Sequence, residues 1–132
     1  LLLTNEKWPR RVLTVRGLTP RSATAPRAPV VEDWHPRTWP SLLGRDLASL
    51  TVHPRTGNLL LLSEESALVT EYSRAGELLG MLPLWRGLSG LARTVPQPEG
   101  IALGPDDAIY LISEPNLLYR FSRADAPTHS TH

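Results

Sequence analysis

Short apolar runs separated by turn-forming residues dominate the chain, and this pattern predicts β-strands joined by tight turns. Residues 59–64 and 109–114 are two such runs, and both end in Ser-Glu. Each is followed by a second run, at 68–72 and 117–121, that closes in an aromatic residue, Ser, Arg and Ala. Each is also preceded by an apolar run that a Pro stops, and the connecting segments contain the Gly, Asn, Asp and Pro of hairpin turns. Each copy therefore reads as strand, tight turn, strand, short loop and strand.

The copies lie about 50 residues apart, counted from Glu64 to Glu114, which fits one four-stranded blade of a β-propeller. A third, weaker copy opens the chain, with residues 1–6 as its apolar run and 11–15 as the following strand. We therefore predict an all-β fold of about two to three antiparallel propeller blades. The predicted division of the chain starts with the end of a blade at 1–16 and a Pro-rich insertion or loop at 17–45, which has room for a short strand from Pro29 to Glu32. It continues with a blade at 46–84 and a loop at 85–97, and it ends with a C-terminal blade at 98–125 and a flexible tail at 126–132.

Composition and charge narrow the classes of function. The 14 basic and 13 acidic side chains give a net charge of +1 with scattered arginines, so a nucleic-acid partner is not expected. The absence of cysteine excludes disulfides, thiolate metal sites and a cysteine nucleophile. No run approaches the roughly 18 apolar residues of a membrane span. The chain begins at Leu1 rather than Met, and an open set of blades leaves apolar faces uncovered; we expect either that residues precede it or that chains associate to complete a ring.

Five carboxylates form the candidate binding chemistry. In an antiparallel blade, the start of the first strand and the end of the second lie on the same face of the propeller. Hard cations such as Ca²⁺ need several oxygen ligands, and Ser113 and Asn116 add neutral oxygens near this face. The alternative is that each Glu is solvated or caps a turn amide. The predicted metal-site residues are those that begin first strands, Asp46 and Glu99, and those that end second strands, Glu6, Glu64 and Glu114.

The remaining reactive side chains give weaker evidence for a functional site. Asp106 and Asp107 lie at the opposite face, where we expect a hairpin turn. Trp34 and Trp39 either fold back onto the propeller or form an exposed aromatic surface, and the first role is favoured. No phosphate loop, Gly-x-Ser-x-Gly elbow, EF-hand loop or His-Glu-x-x-His motif is present. The four histidines do not form a ligand set, since they are spread over a strand end, the Pro-rich segment and the tail: His53, His35, His129 and His132.

Several segments resemble one protein family. Residues 98–102, 109–116 and 119–121 are similar to the SdiA-regulated proteins, also called the YjiK or calcium-regulated β-propeller family, and 46–50 and 6–9 add weaker similarity. Propellers of the NHL type share part of this rhythm. The resemblance implies a six-bladed propeller of the bacterial envelope, of which this chain would be the C-terminal half, often behind an N-terminal membrane anchor. It also implies a link to calcium and no established reaction.

Three functions remain open at this point. The first is a non-enzymatic envelope scaffold that binds calcium, or an unknown protein or small ligand, at the channel face. We use this term for the face of the propeller around the mouth of its central channel, where the five carboxylates are expected. The second is a calcium-dependent, phytase-like phosphoesterase, which would need basic side chains beside the acids; Lys7 is the only lysine, and Arg10 and Arg120 are the candidate arginines. The third is a protein-interaction propeller without an ion. Calcium-dependent stabilisation would separate the first two from the third, and phosphomonoester turnover would separate the second from the first.

Overall fold

A computed structural model describes residues 2–4, 11–16, 30–39 and 46–122 of the chain. This part contains ten β-strands and no helix, and therefore no helix with the length and apolar character that crossing a bilayer requires. The strands are β1 (Leu2–Thr4), β2 (Val12–Arg16), β3 (Val30–Trp34), β4 (Ser49–Val52), β5 (Leu59–Ser63), β6 (Leu68–Tyr72), β7 (Leu78–Pro83), β8 (Pro98–Leu103), β9 (Ile109–Ser113) and β10 (Leu117–Phe121).

The strands form three antiparallel sheets in which neighbours in sequence are also neighbours in space. The first sheet contains β1 to β3, the second β4 to β7 and the third β8 to β10. This meander is the arrangement of propeller blades, so the all-β blade prediction is confirmed. Strand β3 lies where the sequence allowed a short strand, inside the Pro-rich segment. Among the described residues, the second sheet contacts both others and the three sheets do not close into a ring.

The connections between inner strands are the tight turns that the sequence predicts. The β4–β5 turn is closed by the His53 amide, which donates to the Asn58 carbonyl at 2.8 Å, and Gly57 has a φ of 74°. In the β8–β9 turn the Gly104 amide donates to the Ala108 carbonyl at 2.9 Å, and Asp107 has a φ of 61°. Asp tolerates this left-handed region better than most residues. The turn role predicted for Asp106 and Asp107 is therefore confirmed.

The second sheet is the centre of the structure because both of its faces are covered. Every residue of β5 is buried, which explains why this strand is a continuous leucine run rather than an alternating one. Leu60 and Leu62 pack towards the third sheet, whereas Leu59 and Leu61 pack towards the first. Each such leucine contributes about 1.5–3 kcal/mol relative to an exposed one, so β5 stabilises both sheet contacts.

The aromatic residues of the Pro-rich segment fold back onto the second sheet. Trp34 and Trp39 meet the buried ring of Tyr72 edge to face, with centroid distances of 5.6 and 6.1 Å. The Trp34 indole also donates to the Arg74 carbonyl at 3.0 Å, and the Tyr72 hydroxyl donates to the Thr38 carbonyl at 3.1 Å. The two tryptophans thus cover the second sheet, as the favoured interpretation predicts.

Candidate binding face at the strand ends

The strand registers place four of the five predicted carboxylates at one end of the second and third sheets. Ser49 of β4 pairs with Leu62 of β5, and Pro98 of β8 pairs with Ser113 of β9. The acids that flank these positions therefore share an edge, which we call the acidic end: Asp46, Glu64, Glu99 and Glu114. The opposite edge, formed by the β4–β5 and β8–β9 turns, is called the turn end. Glu6 lies outside the described residues.

Asp46 has a clear structural partner set. The Ser63 hydroxyl donates to Asp46 Oδ1 at 2.7 Å, and the Glu64 amide donates to Oδ2 at 2.8 Å. The Glu65 amide lies 3.3 Å from both carboxylate oxygens. Both oxygens therefore cap the turn between β5 and β6, where backbone amides would otherwise lack an acceptor. A cation at Asp46 would have to compete with these three donors.

Glu64 and Glu99 come from neighbouring sheets and line one depression of about 370 Å³ together with Thr4, Leu47 and Ala48. None of the described residues that line this depression is basic. Two carboxylates and a hydroxyl therefore line the same volume, and the described part of its wall supplies no opposing positive charge. This is the closest approach to a cation-binding arrangement that the acidic end offers.

Glu99 also lines a second depression, of about 460 Å³, which it shares with Glu114, Asn116 and Leu118. Ser113, which borders it too, donates its hydroxyl proton to the Pro96 carbonyl. Its hydroxyl thus ties the strand end to the preceding loop, as Ser63 does through Asp46 in the second sheet. Among the described residues, Glu99 is the acid that lines both depressions of the acidic end.

A β-bulge presents Glu99 to solvent. The register of β8 against β9 shifts between Pro98 and Gly100, so Glu99 is the extra residue of the bulge. Gly100 allows β8 to lie close to the Ile112 side chain of β9, because a Cβ at position 100 would lie 2.6 Å from Ile112 Cγ1. The Glu-Gly pair in the sequence therefore corresponds to a local distortion that points the carboxylate out of the sheet.

The described residues satisfy the needs of a calcium ion only in part. Ca²⁺ takes six to eight oxygens at about 2.3–2.6 Å, and among the described residues no three His, Asp or Glu side chains are grouped closely enough to hold a metal. Glu64, Glu99 and Thr4 can supply part of a shell, and water or a bound partner would have to complete it. Such a shell corresponds to weak binding, in the range of about 10⁻⁴–10⁻³ M seen for extracellular calcium modules.

Arg120, one of the two arginines considered for phosphate binding, lies at the turn end. Its guanidinium donates to Asp106 at 2.6 Å and to the Tyr110 hydroxyl at 3.1 Å. The hydrogen bond from Arg120 lowers the pKa of the exposed Asp106 carboxyl below its ordinary value. Arg120 is therefore committed to a surface pair away from the acidic end, and Arg10 lies outside the described residues.

Sequence reasoning missed one acidic residue that faces the space between two sheets. Glu71 of β6 lines a cavity at the turn end together with residues of the third sheet. The signal was present in the sequence, since Glu71 is the one charged residue of the strand at 68–72. From the sequence alone, Glu71 looks like a solvent-facing residue of an ordinary half-buried strand. Its position between two sheets becomes apparent only when both faces of the second sheet are known to be covered.

A profile of the SdiA-regulated family matches residues 1–122. The match extends over all three sheets and includes the strands that carry the acidic end. Three antiparallel sheets that pack side by side are the architecture that the resemblance implied for the described part of the chain. The chain belongs to the SdiA-regulated family.

Proposed function

We propose that the chain is part of a non-enzymatic propeller scaffold of the bacterial envelope that binds calcium, and through it a partner, at the acidic end. The observation that carries the proposal is the depression that Glu64 and Glu99 from adjacent sheets line together, with no basic side chain among its described lining residues. Carboxylates presented in this way favour a hard cation over an anionic ligand. The envelope location rests on the family resemblance alone, and fractionation of cells that express the full protein would test it.

The incomplete oxygen shell gives the proposed site a specific use. An ion held by Glu64 and Glu99 would keep open coordination positions directed away from the sheets. Oxygens from a protein or a small ligand could occupy them, so the ion would act as a bridge at the channel face. A scaffold role is favoured over phosphoester hydrolysis because Arg120 is bonded at the turn end instead of converging with the acids.

Calorimetric titration of the chain with Ca²⁺ tests this proposal. We expect one weak site, with a Kd on the order of 10⁻⁴–10⁻³ M, and weaker binding of Mg²⁺, which demands a tighter octahedral shell. Glu99→Gln and Glu64→Gln should each weaken Ca²⁺ binding by about 10-fold or more, because Gln has nearly the same shape as Glu but lacks its negative charge. Glu77→Gln is the matched control, since Glu77 is exposed and pairs with Arg37 at 3.5 Å away from the site.

Three results would contradict the proposal. Equal Ca²⁺ affinity in the unchanged chain and in Glu99→Gln would remove the ion from the acidic end. Turnover of a phosphomonoester that depends on Glu64 or Glu99 would replace the scaffold with an enzyme. Absence of any calcium heat in a cooperatively folded sample would leave an interaction propeller without an ion.

A further inference from the structure

A cavity of about 420 Å³ lies between the second and third sheets at the turn end. Its wall is mainly apolar and is contributed by both sheets, and this volume is within the range of small-molecule sites. The apolar lining residues are Leu60, Leu82, Leu103, Ile109 and Phe121, and polar side chains at the rim are His53, Thr56, Glu71, Asp107 and Ser122. The cavity is on the opposite edge from the acidic end and therefore does not depend on the proposed calcium site.

Glu71 is the unusual member of this wall. It lies on the face of the second sheet that packs against the third, because it pairs with Leu60 and alternates with Val69, both of which belong to the core between those sheets. A carboxylate on such a face is expensive unless it is paired. Its hydrogen-bond partner is the neutral amide of Asn58, which donates to Oε1 at 2.7 Å. Among the described residues, Glu71 forms no salt bridge.

Asp107, the other acid of the wall, is compensated in place. Arg55 donates to it, and His53 Nε2 lies 3.2 Å from its Oδ1. His53 Nδ1 accepts from the Arg55 and Thr56 amides at 3.2 and 3.4 Å, so the ring proton belongs on Nε2 and is directed at Asp107. These bonds join the turns of two neighbouring sheets and satisfy Asp107. Among the described residues of this wall, Glu71 is left as the acid whose charge has no cationic partner.

We propose that this cavity binds a small amphipathic amine. The protonated amine would donate to Glu71, whose Oε2 is its second acceptor, and the apolar body would contact Leu82, Ile109 and Phe121. A neutral or anionic molecule of the same shape would gain the apolar contacts but would leave Glu71 uncompensated. The charge of the wall thus selects for a cationic head, and the sheet-to-sheet spacing selects for a compact apolar body.

Titration of the ¹⁵N-labelled chain with 2-phenylethylamine, followed by NMR, tests this inference. The matched neutral probe is 2-phenylethanol, which has the same apolar body and a hydroxyl in place of the ammonium group. We expect the amine to shift the amide signals of residues 60, 71, 82, 109 and 121 and to bind about 10-fold more tightly than the alcohol, as one charge-assisted bond allows. The signals of Glu64, Glu99 and Glu114 should not move.

Variants separate the charge from the shape of the cavity. Glu71→Gln keeps an acceptor for Asn58 and should reduce amine affinity to that of the alcohol, while alcohol affinity stays within about 2-fold. Glu77→Gln removes the same charge from an exposed position and should change neither affinity. Equal binding of both probes to the unchanged chain, an unaltered amine preference in Glu71→Gln, or shifts confined to the acidic end would each overturn the proposal.

Discussion

Replacement of Asp46 by Ala is the perturbation that best separates a structural acid from an ion ligand. The carboxylate accepts from the Ser63 hydroxyl and the Glu64 amide at 2.7 and 2.8 Å, with the Glu65 amide at 3.3 Å. Ser63 is fully buried, so its hydroxyl cannot turn to solvent when the acceptor is removed. The Asp46→Ala variant leaves a buried donor unsatisfied and uncaps the β5–β6 turn.

The expected cost follows from these contacts. A hydrogen bond to a charged group contributes about 1.5–3 kcal/mol, and an orphaned buried donor costs about 1–3 kcal/mol. These two contributions are not additive, because the Ser63–Asp46 hydrogen bond is counted in both of them. The Ser63 hydroxyl also accepts from the Ser66 amide at 3.2 Å, and this bond remains in the variant. We therefore expect Asp46→Ala to lower the free energy of unfolding by about 2–4 kcal/mol, which corresponds to a fall in Tm of roughly 10 °C.

Urea unfolding in EDTA measures this cost without any contribution from a cation. Asp46→Asn keeps one acceptor oxygen and should lose about half as much stability, whereas the exposed Glu77→Ala should lose less than about 0.5 kcal/mol. A loss below about 0.5 kcal/mol for Asp46→Ala in EDTA would refute the capping role. A loss that appears only when Ca²⁺ is present would instead make Asp46 an ion ligand.

Three further predictions concern the packing and the charges of the described residues. Gly76→Ala should destabilise the chain by about 2–3 kcal/mol in urea unfolding, because φ is +84° and the new Cβ would lie 2.7 Å from the His35 carbonyl oxygen; an unchanged midpoint would show that the Pro-rich segment does not dock there. Thr70→Val should raise the free energy of unfolding by about 1 kcal/mol, since the buried Thr70 hydroxyl has no hydrogen-bond partner among the described residues, and a loss of stability would reveal a partner elsewhere in the chain. Arg120→Gln should raise the pKa of Asp106, measured from its carboxyl carbon shift; the pair's contribution to stability is present above the ordinary carboxyl pKa and is lost as pH falls through the lowered value. An Asp106 titration that is the same in both proteins would contradict that assignment.

The sequence predicts the repeated architecture because the blade pattern is local. Apolar runs of strand length and the turn residues beside them determine where strands begin and end, and the chain repeats this arrangement. The roles of Asp106 and Asp107 follow from the same local chemistry, since a short acidic pair between two apolar runs is typical of a hairpin turn. The docking of Trp34 follows from the preference of large aromatic side chains for covered surfaces.

The roles of individual acids depend on contacts between distant parts of the chain, which pattern reasoning does not supply. Asp46 and Glu64 are equivalent as strand-end carboxylates in the sequence, but only Asp46 has its oxygens within reach of the turn amides. The exposure of Glu99 depends on a bulge whose one sequence signal is the adjacent Gly100. Glu71 looks like an ordinary polar strand position, and its significance appears only when the third sheet covers that face.

The most direct test of the binding face is a Ca²⁺ titration of the ¹⁵N-labelled chain that maps the shifted amide signals. The proposed site predicts saturable shifts at residues 64–66 and 98–101, with a midpoint on the order of 10⁻⁴–10⁻³ M, and no shifts at the turn end around 53–57 and 104–108. Loss of these shifts in Glu99→Gln would confirm the central position of that residue. Shifts confined to the turn end, or spectra that Ca²⁺ leaves unchanged, would contradict a calcium site at the acidic end.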